Sequence, residues 1–162
     1  MTHDAPAPGM AAPDFRAPSN KGHTLGPESF GDRLAVVLVF LDGIGTPEER
    51  ARLWGFDAIL PEFGRRRVQL LGVVPTTARD LRDATQDSAM TLLADVDRSI
   101  GNAYGLDLGE QAAVLVDRHG VVASVLQGDD ARPDAVLAAV DRLAAEQPDG
   151  FAPHPAAPAA GS

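Results

Sequence analysis

The sequence predicts an α/β sandwich, with a mixed, largely parallel central sheet flanked by helices and a β-hairpin near the N-terminus. Three observations carry this. Residues 34–41 (LAVVLVFL) and Val68–Val74 are continuous apolar runs rich in Val and Leu, as expected of strands buried on both faces. A helical pattern follows each of them, which makes successive strands parallel. Two further apolar runs then flank Asp117-Arg118-His119-Gly120, a hairpin signal, and an amphipathic helix closes the order.

Taken in order, residues 1–11 are Ala- and Pro-rich and are expected to be a tail without fixed structure. The domain is expected to span residues 12–146, opening at Ala12-Pro13-Asp14-Phe15. Its hairpin has His23-Thr24-Leu25 as the second arm, punctuated by Gly22 and Gly26-Pro27. After the first buried strand come Asp42-Gly43-Ile44-Gly45 and a helix starting at Thr46-Pro47. Leu53, Phe56, Leu60 and Phe63 recur at helical spacing and face the sheet, and Pro61 kinks or restarts this helix. Pro75 closes the second strand, and Thr76-Thr77 caps a polar helix over about residues 78–85. A short strand at residues 91–94 leads into a one-to-two-turn helix ending near Tyr104-Gly105. Strands follow at residues 112–116 and 121–126. The final helix, residues 133–145, carries Val136, Leu137, Val140 and Leu143 on one face. Residues 147–162 are expected to be an Ala/Pro-rich tail. This order is that of a thioredoxin-like sandwich.

Composition excludes several chemistries. Asp and Glu outnumber Lys and Arg 23 to 14, a formal charge of −9 that repels nucleic acid and anionic membrane. No stretch is apolar enough to span a bilayer, and the N-terminus shows no secretory signal, so a cytoplasmic location is expected. The chain has no cysteine, which removes disulfides, thiolate nucleophiles and Cys-ligated metals.

The turn after the first buried strand is where a fold of this kind places chemistry. In this chain Thr46-Pro47-Glu48-Glu49 reads as a capping box, with Thr46 at N-cap, Pro47 at N1 and Glu49 at N3 reaching back to the Thr46 amide. Gly43-x-Gly45-Thr46 has the form of a phosphate-cradling loop, but the third glycine of that pattern falls on Glu48, and three carboxylates repel phosphate. Asp42, Glu48 and Glu49 match no cation-binding loop. His119 at a hairpin tip, His23 on an arm, and His3 and His154 in the tails form no zinc set. Arg65-Arg66-Arg67 ends a helix and satisfies its carbonyls and dipole. No cofactor or metal is expected. Trp54, the one tryptophan, is expected in the core or at a subunit interface.

A set of motifs carries a family likeness: Ala12-Pro13-Asp14-Phe15, VVLVF before the turn, Thr46-Pro47, Gly55-Phe56, VQLLGVVP, LLADVDRSIGNAYGL and VLVDRHGVV. Together they resemble the AhpC/TSA-family peroxiredoxins, nearest the bacterioferritin-comigratory (Q-type) branch, over about residues 10–146. The resemblance implies a thiol peroxidase fold with the site pattern Pro-x-x-x-Thr-x-x-Cys and a later arginine. In this sequence the proline position falls on Asp42, the threonine is Thr46, and the peroxidatic cysteine falls on Glu49. The Q-type resolving cysteine falls on Trp54, and the arginine falls near Gln111, with no Arg between Ser99 and Asp117.

A carboxylate oxygen is a hard, weak nucleophile with no sulfenic acid stage. The first expectation is therefore a homologue inactive as a thiol peroxidase and acting as a binding or regulatory partner, through a homodimer or association with peroxiredoxin homologues. The alternative is an enzyme or small-ligand binder that uses the retained Thr46/Glu49 pocket for non-thiol chemistry.

Overall fold

A computed structural model describes residues 7–26, 34–106 and 111–151. Five strands form one mixed sheet in the order β5-β4-β3-β6-β7: β3 (Ala35–Phe40), β4 (Val68–Val74), β5 (Thr91–Ala94), β6 (Ala112–Val116) and β7 (Val122–Gln127). β3, β4 and β5 run parallel; β6 is antiparallel to β3, and β7 to β6. A separate two-stranded hairpin, β1 (Ala17–Pro18) with β2 (Thr24–Leu25), lies near the N-terminus. This is the thioredoxin-like arrangement that the alternation of runs predicts.

The pleat divides β3 between two cores. Val37 and Val39, with Leu41 just beyond the strand, face α1 (Pro47–Ala58), α2 (Leu60–Arg65) and α5 (Pro133–Glu146), where Leu53, Phe56, Phe63, Val136 and Val140 close the layer. Leu38 and Phe40 face the opposite way, towards Phe15, Ala17, Ile100 and Tyr104, the last two placed by α4 (Ser99–Ala103). α3 (Ala78–Ala84) starts at Thr77, whose hydroxyl accepts from the Asp80 amide. Pro61 restarts the helix as expected, sitting in the first turn of α2 two residues after the α1 cap, Ile59. Of the four residues predicted to face the sheet, Leu53, Phe56 and Phe63 are buried and Leu60 is half-buried. Among the three arginines at the end of α2, Arg66 reaches furthest: it pairs with Glu62 and with Asp141 of α5 at 2.6 Å, which holds the Asp141 carboxyl below its ordinary range.

Order extends past both limits set for the domain from the sequence. Residues 9–12 pair with the start of β7, through the bonds Gly9 N–H to Val122 O and Ala12 N–H to Gly120 O. At the other end, α6 (Pro148–Phe151) docks on the β6–β7 turn. The Arg118 side chain donates to the Pro148 and Asp149 carbonyls, and His119 Nε2 lies 2.9 Å from Asp149 Oδ2. Gly150 sits where a side chain would strike Asp117, 2.8 Å from its Cβ. Phe151 is 2% exposed and belongs to the main core. One buried ring outweighs the local Ala/Pro composition, so residues 148–151 are folded where a tail is predicted. Phe151→Ala should lower unfolding stability by about 3 kcal/mol, in the range for deleting a buried phenylalanine. Urea denaturation reads this, and a loss below about 1 kcal/mol would show that α6 is only loosely attached.

Candidate functional site

The strand-to-helix turn forms the capping box that the sequence predicts, with one bond more. Glu49 N–H donates to Thr46 Oγ1 at 3.1 Å, and Glu49 Oε1 accepts from Thr46 N–H at 3.0 Å. The same oxygen also accepts from Gly45 N–H at 2.9 Å. The other carboxylate oxygen lies against Gly43, so close that a Cβ there would stand 2.9 Å from it. Glycine at 43 leaves room for the carboxylate to fold back. Glu49 thus fills the concave face of its own turn and completes the amide donors that Gly43-x-Gly45-Thr46 offers to an anion. Among the described residues no group of three or more His, Asp or Glu side chains is placed to hold a metal ion.

A cavity of about 210 Å³ opens beside the turn, lined by Leu41, Asp42, Gly43, Thr46, Glu48, Glu49, Arg52 and Gln111. Four of the five positions singled out from the family pattern, Asp42, Thr46, Glu49 and Gln111, are therefore together. Trp54 is not. It is 41% exposed on the outer side of α1, which excludes the core, one of the two places expected for it.

Arg52 is the residue that the sequence reading missed. It lies on α1, three residues beyond Glu49, and Nη1 donates to Gln111 Oε1 at 2.8 Å. Nη2 reaches the Ala131 carbonyl at 3.4 Å, and the guanidinium carbon is 5.8 Å from the centre of the Phe56 ring. Gln111, just before β6 and near where the resemblance puts an arginine, is thus bonded to an arginine from the helix. Arg52 Nε is buried without a partner among the described residues. Burial lowers the Arg52 pKa, and the charge of Asp42 acts against that shift. The i, i+3 spacing of Glu49 and Arg52 is visible in the sequence; what hides Arg52 is that Gln111 is far away in the chain.

These side chains can hold and neutralise charge. They offer hydrogen bonds, a fixed guanidinium and a carboxylate committed to backbone amides. They include no thiol and no assembled nucleophile, base and orienter.

Fold and site together define a peroxiredoxin-type thioredoxin fold. The family model described as "AhpC/TSA family" matches residues 8–125, and the chain belongs to that family. No curated protein matches it in sequence. Among solved structures it is similar to the peroxidoxin BcpB from Mycobacterium tuberculosis, at 19% identity and TM-score 0.76, covering 85% of this chain and 98% of that one. It is also similar to the Xanthomonas campestris bacterioferritin comigratory protein, at 24% identity and TM-score 0.74, covering 85% and 99%. The reduced 2-Cys peroxiredoxin of Plasmodium vivax aligns at 23% identity and TM-score 0.77, covering 86% and 98%. At these identities the likeness is one of fold.

The energetic role of the turn can be measured directly. Thr46→Ala should cost about 1 kcal/mol, the usual price of losing an N-cap oxygen, and Glu49→Ala should cost a similar amount. Because both residues serve one box, the double variant should lose less than the sum. Strictly additive losses in chemical denaturation would show that the two bonds act separately.

Proposed function

We propose that this chain is a redox-inactive member of its family, with Glu49 as the built-in occupant of the site where relatives carry the reactive thiolate. One observation carries the reading: Glu49 Oε1 accepts from both the Gly45 and Thr46 amides. A side chain so engaged is a cap, and a cap with two fixed donors is poorly placed to attack a substrate. In this reading the carboxylate holds the turn in one helical state. The protein then acts through its surface, as a binding or regulatory homologue.

The competing reading, a ligand pocket or non-thiol active site at Thr46 and Glu49, has less support. The cavity there is smaller than the roughly 300–1,000 Å³ of ordinary ligand sites, and its lining is polar and charged rather than apolar.

Association with a second copy or with an active homologue fits the outer side of α1. Pro47, Ala51, Trp54 and Ala58 are all exposed and recur at i, i+4, i+7 and i+11, an apolar line on a helix whose inner side is already buried. Wild-type protein should sediment as more than a monomer, alone or mixed with a cysteine-bearing relative, and Trp54→Glu should reverse this. A monomer under both conditions sinks the association.

Two measurements test the site. Purified protein given hydrogen peroxide and an external thiol should consume no more peroxide than buffer; clear turnover would overturn the reading. In hydrogen exchange, Glu49→Ala should speed exchange at the Gly45 and Thr46 amides. Glu49→Gln, which keeps an acceptor oxygen but not the charge, should protect them to an intermediate degree. Unchanged protection in Glu49→Ala would mean that the carboxylate does not hold the turn.

A further inference from the structure

A second, larger cavity lies on the other face of the sheet from the capping turn. It encloses about 640 Å³ and is walled by Phe15, Leu34, Val36, Leu38, Tyr104 and Val116. That volume is within the range of roughly 300–1,000 Å³ that takes a drug-sized molecule. Leu38 and Tyr104 are almost wholly buried there, so the floor is apolar and fixed. The Tyr104 ring is further held by Phe40, centre to centre 5.5 Å, and its hydroxyl donates to the Pro13 carbonyl at 3.2 Å. Burial and the nearby charge of Asp14 raise its pKa, so the phenol stays neutral and presents an apolar wall.

The rim has a sign. Asp14 is exposed at the mouth and makes no hydrogen bond or ion pair among the described residues. Asp117 also lines the rim, its Oδ1 held by the His119 and Val121 amides. The two basic rim residues are engaged elsewhere. Arg118 donates to the Pro148 and Asp149 carbonyls, and His119 pairs with the Asp149 carboxylate. Two carboxylates, Asp14 and Asp117, thus stand against one guanidinium at the opening and leave it net negative, on a chain whose net charge is −9. A net-negative opening over an apolar floor selects a cation over an anion.

We propose that this cavity is a binding site for a small amphiphile with an apolar body and a cationic, ammonium-type head, the body against the half-buried Leu34 and Val36 and the head at Asp14. The site is separate from the Glu49 turn and does not depend on the reading given to that turn.

The test uses the full-length chain and three ten-carbon probes below their micelle-forming concentrations: decyltrimethylammonium, decyl sulfate and 1-decanol. Amide shifts on titration should map decyltrimethylammonium to Asp14, Val36, Tyr104 and Val116. It should bind at least about tenfold more tightly than decyl sulfate, a difference of about 1.4 kcal/mol. Asp14→Asn changes only an exposed side chain; it should remove that preference and leave decanol binding unchanged. Val36→Trp should fill the cavity and abolish binding of all three probes. Decyl sulfate binding as tightly as the cation would overturn the proposal. So would shifts centred on α1, or no saturable binding of any probe.

Discussion

The turn between β3 and α1 depends on one anion at a helix N-terminus. The first amides of a helix have no partner within it, and the aligned peptide dipoles make that end positive. In this chain a side chain from the helix itself answers both needs: Glu49 folds back and accepts from Gly45 and Thr46, while Thr46 answers the Glu49 amide. The geometry around it follows. Gly43 must lack a side chain to leave space for the carboxylate, and Pro47 costs nothing at the first helical position because its missing donor would be unpaired there.

Arg52 extends this local arrangement into the tertiary structure. From the second turn of α1 it reaches Gln111, just before β6, and the carbonyl of Ala131, just before α5. Three segments far apart in sequence thus meet at one guanidinium. Its charge is stabilised by Asp42 across the same cavity and by the Phe56 face beneath it, while Nε has no partner among the described residues. Such a group costs desolvation, and its return is geometric: it fixes where the end of α1 sits relative to the sheet.

The parts legible in the sequence are those set by local rules. The capping box is a four-residue pattern, Val68–Val74 is an apolar run, and the restart at Pro61 follows from the missing N–H of proline. The parts that were not legible depend on contacts distant in the chain. Residues 148–151 carry a tail-like composition, and their helix is secured by Phe151 entering the core and by Arg118 on the hairpin turn. Arg52 looks like any exposed helix residue until β6 brings Gln111 to it. For Trp54 the sequence leaves two places open, the core and a subunit interface, and its exposure excludes the first. Size and rarity suggest burial, but its position on α1 lies more than about a third of a turn from the line through Leu53 and Phe56 that faces the sheet, and the helix has only one buried side.

In the proposed reading, Glu49 separates two roles that a thiolate combines. A thiolate at a helix N-terminus is both the nucleophile and the anion that the dipole favours. A carboxylate keeps the second role and removes the first. Glutamate also has the reach to do so, since its longer side chain bends back to the amides that precede it, which a cysteine at the same position could not bridge. The turn therefore keeps its electrostatic partner when the sulfur chemistry is gone. The stability of the turn asks for a negative charge, and only thiol chemistry asks for sulfur.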